Sequence, residues 1–175
     1  MTLPRPLLHP LRVFCVALLA MLPPGPSAQE VSEYGMKAVL FYRLSHFVYW
    51  PTGVTAPKPT VLCVVGRNPF GNTLGQIDGG NPNIEVRSPP TDLSPCHLLF
   101  IPRSELANLG HWLERSGNRM LVTVSDIPGF ARAGGMIELP LDGARVGIVV
   151  NRHAAQAKGF EFNAQLLRLA RVIEP

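Results

Sequence analysis

Two cysteines carry the most reactive side chains of this sequence beyond its first thirty residues. Cys63 and Cys96 lie in separate apolar runs, TVLCVV at 60–65 and CHLLFI at 96–101. Such a pair can form a structural disulfide or remain as two buried thiols. Redox enzymes instead usually hold their cysteines close together, as Cys-X-X-Cys near a helix N-terminus that lowers the thiol pKa. The wide spacing therefore favours a structural role over a thiol oxidoreductase, and it leaves disulfide and free thiols as alternatives.

Histidines are the next candidates for chemistry, and beyond the N-terminal segment they stand at His46, His97, His111 and His153. None pairs with another histidine or cysteine at a spacing typical of metal sites, apart from the adjacent Cys96-His97. Neighbouring side chains on a strand point to opposite faces, so one ion cannot easily bind both. We therefore predict no metal site.

Sequence motifs of common enzymes are absent. The chain has no Gly-X-Ser-X-Gly elbow, no His-Glu-X-X-His, no Walker loop and no Gly-X-Gly-X-X-Gly after a strand. Segment 66–71 (GRNPFG) follows a predicted strand but lacks the Lys-Ser/Thr of a phosphate loop, so we interpret it as a turn. We predict no catalytic residue and no cofactor, and we expect a protein that is not an enzyme.

A polar triplet, Asn151-Arg152-His153, ends a predicted strand and opens a helical turn. Loops at strand ends are where α/β domains usually place ligands. With Lys158 nearby, this triplet is a candidate site for an anion or a protein partner. The alternative is that it is simply a polar helix start.

Three aromatic residues and one lysine complete the candidate binding residues. Tyr42, Tyr49 and Trp50 are suitable anchors for a protein partner, or they simply cover the sheet. Lys37 falls inside the apolar arc of a predicted helix. We expect its stem to pack on the core while its ammonium group reaches water; a buried ion pair or a ligand contact is the alternative.

Hydrophobic periodicity and turn residues predict the elements that position these side chains. Short apolar runs predict buried strands, and Asp142-Gly143 predicts the turn of a hairpin. Ser32 and Asn163 are predicted helix caps at the two ends of the domain, and Ser104 is a third. The predicted helices cover 31–50, 70–77, 104–115 and the residues after Asn163 to Ile173, and the predicted strands cover 60–65, 84–87, 96–101, 120–124, 136–139 and 145–150. The alternation predicts an α/β sandwich, a mixed sheet flanked by helices in a single domain.

The first residues have the pattern of a cleavable secretory signal. Arg5 and Arg12 precede the apolar run VFCVALLAML at 13–22, and Ser27 and Ala28 are small residues suited to cleavage. The run is too short to cross a bilayer, which needs about 20 residues. We therefore predict a signal peptide at residues 1–28, with cleavage after Ser27 or Ala28, and a mature domain at 29–175.

The charge balance argues against nucleic acid as a partner. Sixteen basic residues face twelve acidic ones, and loss of Arg5 and Arg12 would leave fourteen basic residues. The remaining basic residues are scattered and form no stripe with interleaved aromatics.

Beyond these local signals, a series of short motifs stands in a specific order and spacing from about Tyr34 to Val172. They are Lys37-Ala38, Phe41-Tyr42, Phe47-Val48-Tyr49-Trp50-Pro51, Leu62-Cys63-Val64-Val65-Gly66, Pro69-Phe70-Gly71, Cys96-His97-Leu98-Leu99-Phe100-Ile101, Leu121-Val122-Thr123-Val124-Ser125-Asp126, Phe130, Gly134-Gly135-Met136-Ile137, Val150-Asn151 and Gln165-Leu166-Leu167-Arg168-Leu169-Ala170. With these motifs in this order, the chain resembles the YfiR-like family of periplasmic regulators.

The resemblance implies a non-enzymatic regulator in the periplasm. Such a protein binds and represses the periplasmic sensor region of an inner-membrane diguanylate cyclase, which limits cyclic di-GMP and biofilm formation. It also implies an outer-membrane partner, a homodimer, and a disulfide between Cys63 and Cys96. The second cysteine pair of some relatives has no counterpart in this sequence. The alternative function is a periplasmic small-molecule-binding module that reports to a sensor histidine kinase.

Overall fold

A seven-stranded mixed β-sheet forms the centre of the protein in the computed structural model, which describes residues 32–175. The signal peptide predicted at residues 1–28 lies outside the described residues. The helices are α1 (Glu33–Leu44), α2 (Thr73–Asp78), α3 (Leu109–Gly117), α4 (Arg152–Gln156) and α5 (Ala164–Leu169), and a 3-10 helix (Arg103–Asn108) precedes α3. The strands are β1 (Val48–Tyr49), β2 (Thr60–Val64), β3 (Ile84–Arg87), β4 (Leu98–Ile101), β5 (Val122–Ser125), β6 (Ile137–Glu138), β7 (Leu141–Asp142), β8 (Arg145–Val146), β9 (Val149–Asn151), β10 (Glu161–Phe162) and β11 (Arg171–Ile173).

The strand order in the main sheet is β11-β9-β6-β5-β4-β2-β3. All neighbouring strands run parallel except β6 and β9, which are antiparallel. Two short antiparallel pairs, β1 with β10 and β7 with β8, complete the strands. This architecture confirms the predicted α/β sandwich with a mixed sheet.

Both faces of the sheet are covered, which explains the nearly continuous apolar runs of its strands. In β2, Leu62 and Val64 pack into one core cluster, whereas Val61 and Cys63 pack into the other. Helices α1, α2, α4 and α5 contribute buried residues to the first cluster, and α3 packs against the second. The alternation of period two therefore divides β2, and likewise β4, between two cores.

Helix α1 begins as predicted but ends earlier. The Ser32 hydroxyl accepts a hydrogen bond from Gly35 N at 3.0 Å, which caps the first turn. The predicted helix over 31–50 ends at Leu44, because Val48 and Tyr49 pair with Phe162 and Glu161. A strand pairing more than one hundred residues away thus overrides the local apolar pattern.

Two further predictions of helix ends were wrong. Ser104 does not cap a helix; it lies inside the 3-10 helix that follows Pro102, and α3 begins only at Leu109. Asn163 does cap α5 through its side chain, but that helix ends at Leu169. The residues after it form β11, whose backbone pairs in parallel with β9.

No helix among residues 32–175 has the length and apolarity needed to cross a membrane.

Candidate functional site

A buried cluster of charges lies where β4 and β5 end at their carboxyl edges. Asp126 follows β5 directly, and α1 brings Lys37 against it, with Lys37 Nζ 2.9 Å from Asp126 Oδ2. Both side chains are fully buried, and Glu33, one helical turn before Lys37, also pairs with Nζ. The expectation that the ammonium group of Lys37 reaches water was wrong. The buried ion pair forms because Asp126, 89 residues further along the chain, supplies the opposite charge.

Asp126 joins three parts of the fold through its carboxylate. Its Oδ2 accepts hydrogen bonds from Lys37 and from the hydroxyl of Tyr34, the latter at 3.1 Å. Its Oδ1 accepts from the backbone N of Arg103 at 2.7 Å, in the segment after β4. Burial, and then the charge of Asp126 that the phenol faces, raise the pKa of Tyr34 above its ordinary value. The cluster therefore holds α1, β5 and the 3-10 helix in one arrangement rather than presenting a reactive group.

A close approach at the end of β2 lies at the same edge of the sheet. Gly66 has a φ of +62°, and the carboxylate of Glu105 lies where a Cβ of residue 66 would stand. That carboxylate accepts hydrogen bonds from Trp112 Nε1 at 2.8 Å and from Asn108 Nδ2 at 3.0 Å. These bonds, the one from Trp112 first, hold the pKa of Glu105 below its ordinary value. The turn after β2 therefore packs directly against the 3-10 helix that precedes α3.

Replacing Gly66 with alanine is expected to lower the free energy of unfolding by about 1–3 kcal/mol, because the left-handed backbone is strained for alanine and its Cβ displaces Glu105. Urea denaturation of the variant measures this loss. Gly110→Ala is the matched control, because the Cβ of residue 110 would meet nothing within 4 Å and alanine favours the helix. Equal stability of the two variants would contradict the claim that the backbone conformation and the contact with Glu105 require glycine at residue 66.

In the triplet Asn151-Arg152-His153, the first residue has a structural role and the other two are exposed. Asn151 is buried, its Oδ1 accepts from Ala154 N at 2.9 Å, and its Nδ2 donates to Ala131 O at 2.7 Å. It caps α4 and fastens the loop after β5. Arg152 and His153 are exposed at the start of α4, and a binding role for them stays a prediction. Lys158 does not extend this surface, because its Nζ donates to the carbonyl of Ser116 at 2.6 Å beside the end of α3.

The aromatic candidates lie in different places. Tyr42 is partly buried on α1, and its hydroxyl accepts from Asn81 Nδ2 at 3.1 Å. Tyr49 is 54% exposed on β1, and its hydroxyl accepts from Asn163 Nδ2 at 3.2 Å. Trp50 follows directly. We call Tyr49 and Trp50 the aromatic corner; the fold places neither Lys37 nor Tyr42 in it.

Trp50 forms one wall of a cleft that the sequence did not indicate. Its ring meets His97 edge-on, with centroids 5.7 Å apart, and Phe160 at 5.3 Å. The cleft has a volume of about 230 Å³, and Arg119 and Met120 are also among its lining residues. No short motif signals it, because its residues come from three separate segments of the chain.

The structure joins Cys63 and Cys96 in a disulfide, with the two Cα atoms 5.7 Å apart. Both residues are buried, Cys63 completely and Cys96 to within 3%. The bond ties β2 to the segment before β4. This resolves the alternatives for the cysteine pair in favour of the disulfide. Among residues 32–175, no group of three or more histidine, cysteine or acidic side chains is arranged to hold a metal ion.

Comparison with known proteins adds a family and a fold. A family model described as YfiR/HmsC-like matches residues 34–171. Curated proteins gave no match. Among solved structures, a conserved domain protein from Vibrio cholerae O1 biovar El Tor str. N16961 superposes with a TM-score of 0.56 at 10% identity, over 82% of this chain and 60% of that one. At this identity the likeness concerns the fold alone, and the chain spans 60% of the length of that structure.

Proposed function

Because the chain belongs to the YfiR/HmsC-like family, which groups periplasmic regulators, we propose that it binds and represses the periplasmic sensor region of an inner-membrane diguanylate cyclase. In this role it limits cyclic di-GMP and biofilm formation. The family match over residues 34–171 is the observation that carries the proposal.

Export to the periplasm is part of the proposal. The pattern of residues 1–28 supports a signal peptide that leaves residues 29–175 as the mature domain. The Cys63–Cys96 disulfide supports an oxidising compartment, where such bonds persist. A homodimer and an outer-membrane partner, both implied by the resemblance, stay predictions.

A repressor of this kind works by binding one state of its receptor better than the other. Shifting a receptor from 1:99 to 99:1 requires about 5.5 kcal/mol of differential affinity. A few buried aromatic anchors in an interface supply energy of that order. The aromatic corner supports this role, since Tyr49 is 54% exposed.

Deletion of the gene is expected to raise cellular cyclic di-GMP, and the wild-type chain is expected to restore the low level. A Tyr49→Ala chain is expected to bind its partner at least about tenfold more weakly and to restore repression incompletely, because truncating an aromatic anchor costs about 2 kcal/mol or more. Quantified cyclic di-GMP and co-purification from solubilised inner membranes measure the two effects.

The matched control is Leu106→Ala, which removes an equally exposed apolar side chain (57%) from the 3-10 helix. It is expected to restore repression fully. Unchanged cyclic di-GMP in the deletion strain, together with no co-purifying membrane protein, would contradict the proposed function. Equal behaviour of Tyr49→Ala and Leu106→Ala would instead exclude the aromatic corner as the contact.

A small-molecule-binding module that reports to a sensor histidine kinase is the second candidate. The cleft beside Trp50 is the observation that favours it.

A further inference from the structure

The cleft beside Trp50 combines exposed apolar walls with side chains that carry hydrogen-bond donors. Val54 is 43% exposed and Met120 is 47% exposed, and they line it together with Trp50. Large apolar side chains that remain exposed around one concave surface mark an interaction site more often than isolated ones do. The volume of about 230 Å³ is below the roughly 300–1,000 Å³ of sites for drug-sized ligands, so the occupant must be small.

The polar part of the cleft offers donors. The ring of His97 accepts a hydrogen bond at Nδ1 from Val61 N at 2.8 Å, so the ring proton of the neutral form lies on Nε2. Burial, followed by the charge of Arg87, lowers the pKa of His97, which favours the neutral ring. This leaves Nε2 as the nitrogen through which the ring can donate a hydrogen bond to a ligand.

Arg119 supplies the charge of the cleft. Its guanidinium donates hydrogen bonds to Ser94 Oγ at 3.1 Å and to Asp92 Oδ1 at 3.3 Å, which uses two of its five N–H groups. Asp92 lies outside the cleft, and the lining residues include no carboxylate. A ligand oxygen therefore meets donors and one cation inside the cleft, while the carboxylate of Asp92 pairs with Arg119 from outside it.

We propose that this cleft binds a small apolar carboxylate. Its hydrocarbon part lies against Trp50, Val54 and Met120, and its carboxylate accepts hydrogen bonds from His97 and Arg119. The site shares Trp50 with the aromatic corner, but binding of a carboxylate does not depend on the proposed repression of a cyclase. Because Cys96 also lines the cleft, the Cys63–Cys96 disulfide holds this wall in place.

Octanoate, with octanamide as its neutral counterpart, is the probe that tests this site. The chain contains two tryptophans, so a Trp112→Phe background leaves Trp50 as the single tryptophan reporter. In this background octanoate is expected to change the Trp50 emission saturably, at concentrations below micelle formation. Octanamide is expected to bind about tenfold or more weakly, because it lacks the charge that Arg119 recognises.

Met120→Glu is expected to weaken octanoate binding by at least about tenfold, because it places a negative charge at the cleft wall. Leu106→Glu is the matched control, since it makes the same kind of change at an apolar side chain outside the cleft, and it is expected to leave binding unchanged. Thermal melting of each variant verifies that it is folded. Three results would overturn the proposal: no saturable emission change with octanoate, equal binding of octanamide, or equal effects of the two glutamate substitutions.

Discussion

Replacing Lys37 with methionine is expected to lower the free energy of unfolding by about 3–5 kcal/mol, as is typical when one partner of a buried ion pair is removed. Methionine preserves most of the volume of the lysine stem, so the loss reports on the charge. Without Lys37, the carboxylate of Asp126 stays buried with hydrogen bonds from Tyr34 and Arg103 but without a cation bonded to it. Urea denaturation followed by circular dichroism measures the change.

Arg43→Met on the same helix is the matched control, because Arg43 is exposed. Surface substitutions of this kind usually change stability by no more than about 0.5 kcal/mol. A Lys37→Met/Asp126→Asn double variant is expected to lose less than the sum of the two single losses, because the two groups interact directly. If Lys37→Met were as stable as Arg43→Met, the ion pair would not be what holds α1 on the sheet.

Removing the disulfide is the second change with a large expected effect. The double substitution Cys63→Ala/Cys96→Ala is expected to lower the free energy of unfolding by about 4 kcal/mol, as the loop-entropy model gives for a bond that closes a loop of this size. The sequence separation of the two cysteines is 33. The physical reason is that the unfolded chain gains the freedom that the bond had removed. Chemical denaturation measures the loss as a lower midpoint.

The single variant Cys96→Ala is the control for the covalent bond, because it breaks the same disulfide and is expected to be about as unstable as the double variant. Native wild-type protein is expected to resist reduction by dithiothreitol, because both sulfur-bearing residues are buried, and to become reducible once denaturant opens the fold. Rapid reduction of the native protein, or unchanged stability of the double variant, would contradict this account.

Local patterns predicted the parts of this fold that neighbouring residues decide. The strands β2 and β4 could be predicted from their apolar runs, because strands covered on both faces need apolar side chains at successive positions. The caps Ser32 and Asn163 could be predicted because each accepts a hydrogen bond from a backbone N–H two or three residues away. The order of weak motifs along the chain also predicted the family, since the match spans residues 34–171.

Strand pairing between distant segments decided where the first and the last helix end. The apolar arc of α1 continues past Leu44 in the sequence, yet the helix ends there because β1 pairs with β10. The apolar positions after Leu169 satisfy a helical pattern equally well, yet they form β11 beside β9. Periodicity describes one segment at a time and holds no information about which other segment will offer hydrogen bonds.

The sequence by itself determined an α/β domain without recognisable enzyme motifs, a cysteine pair suited to a disulfide and a family resemblance. Only the tertiary structure decided that Lys37 is buried and paired with Asp126, and that Trp50, His97 and Met120 share a cleft. The reason is that the energy of a buried charge or an apolar wall depends on groups that approach from far along the chain. Those groups become neighbours only when the sheet has placed the ends of its strands side by side.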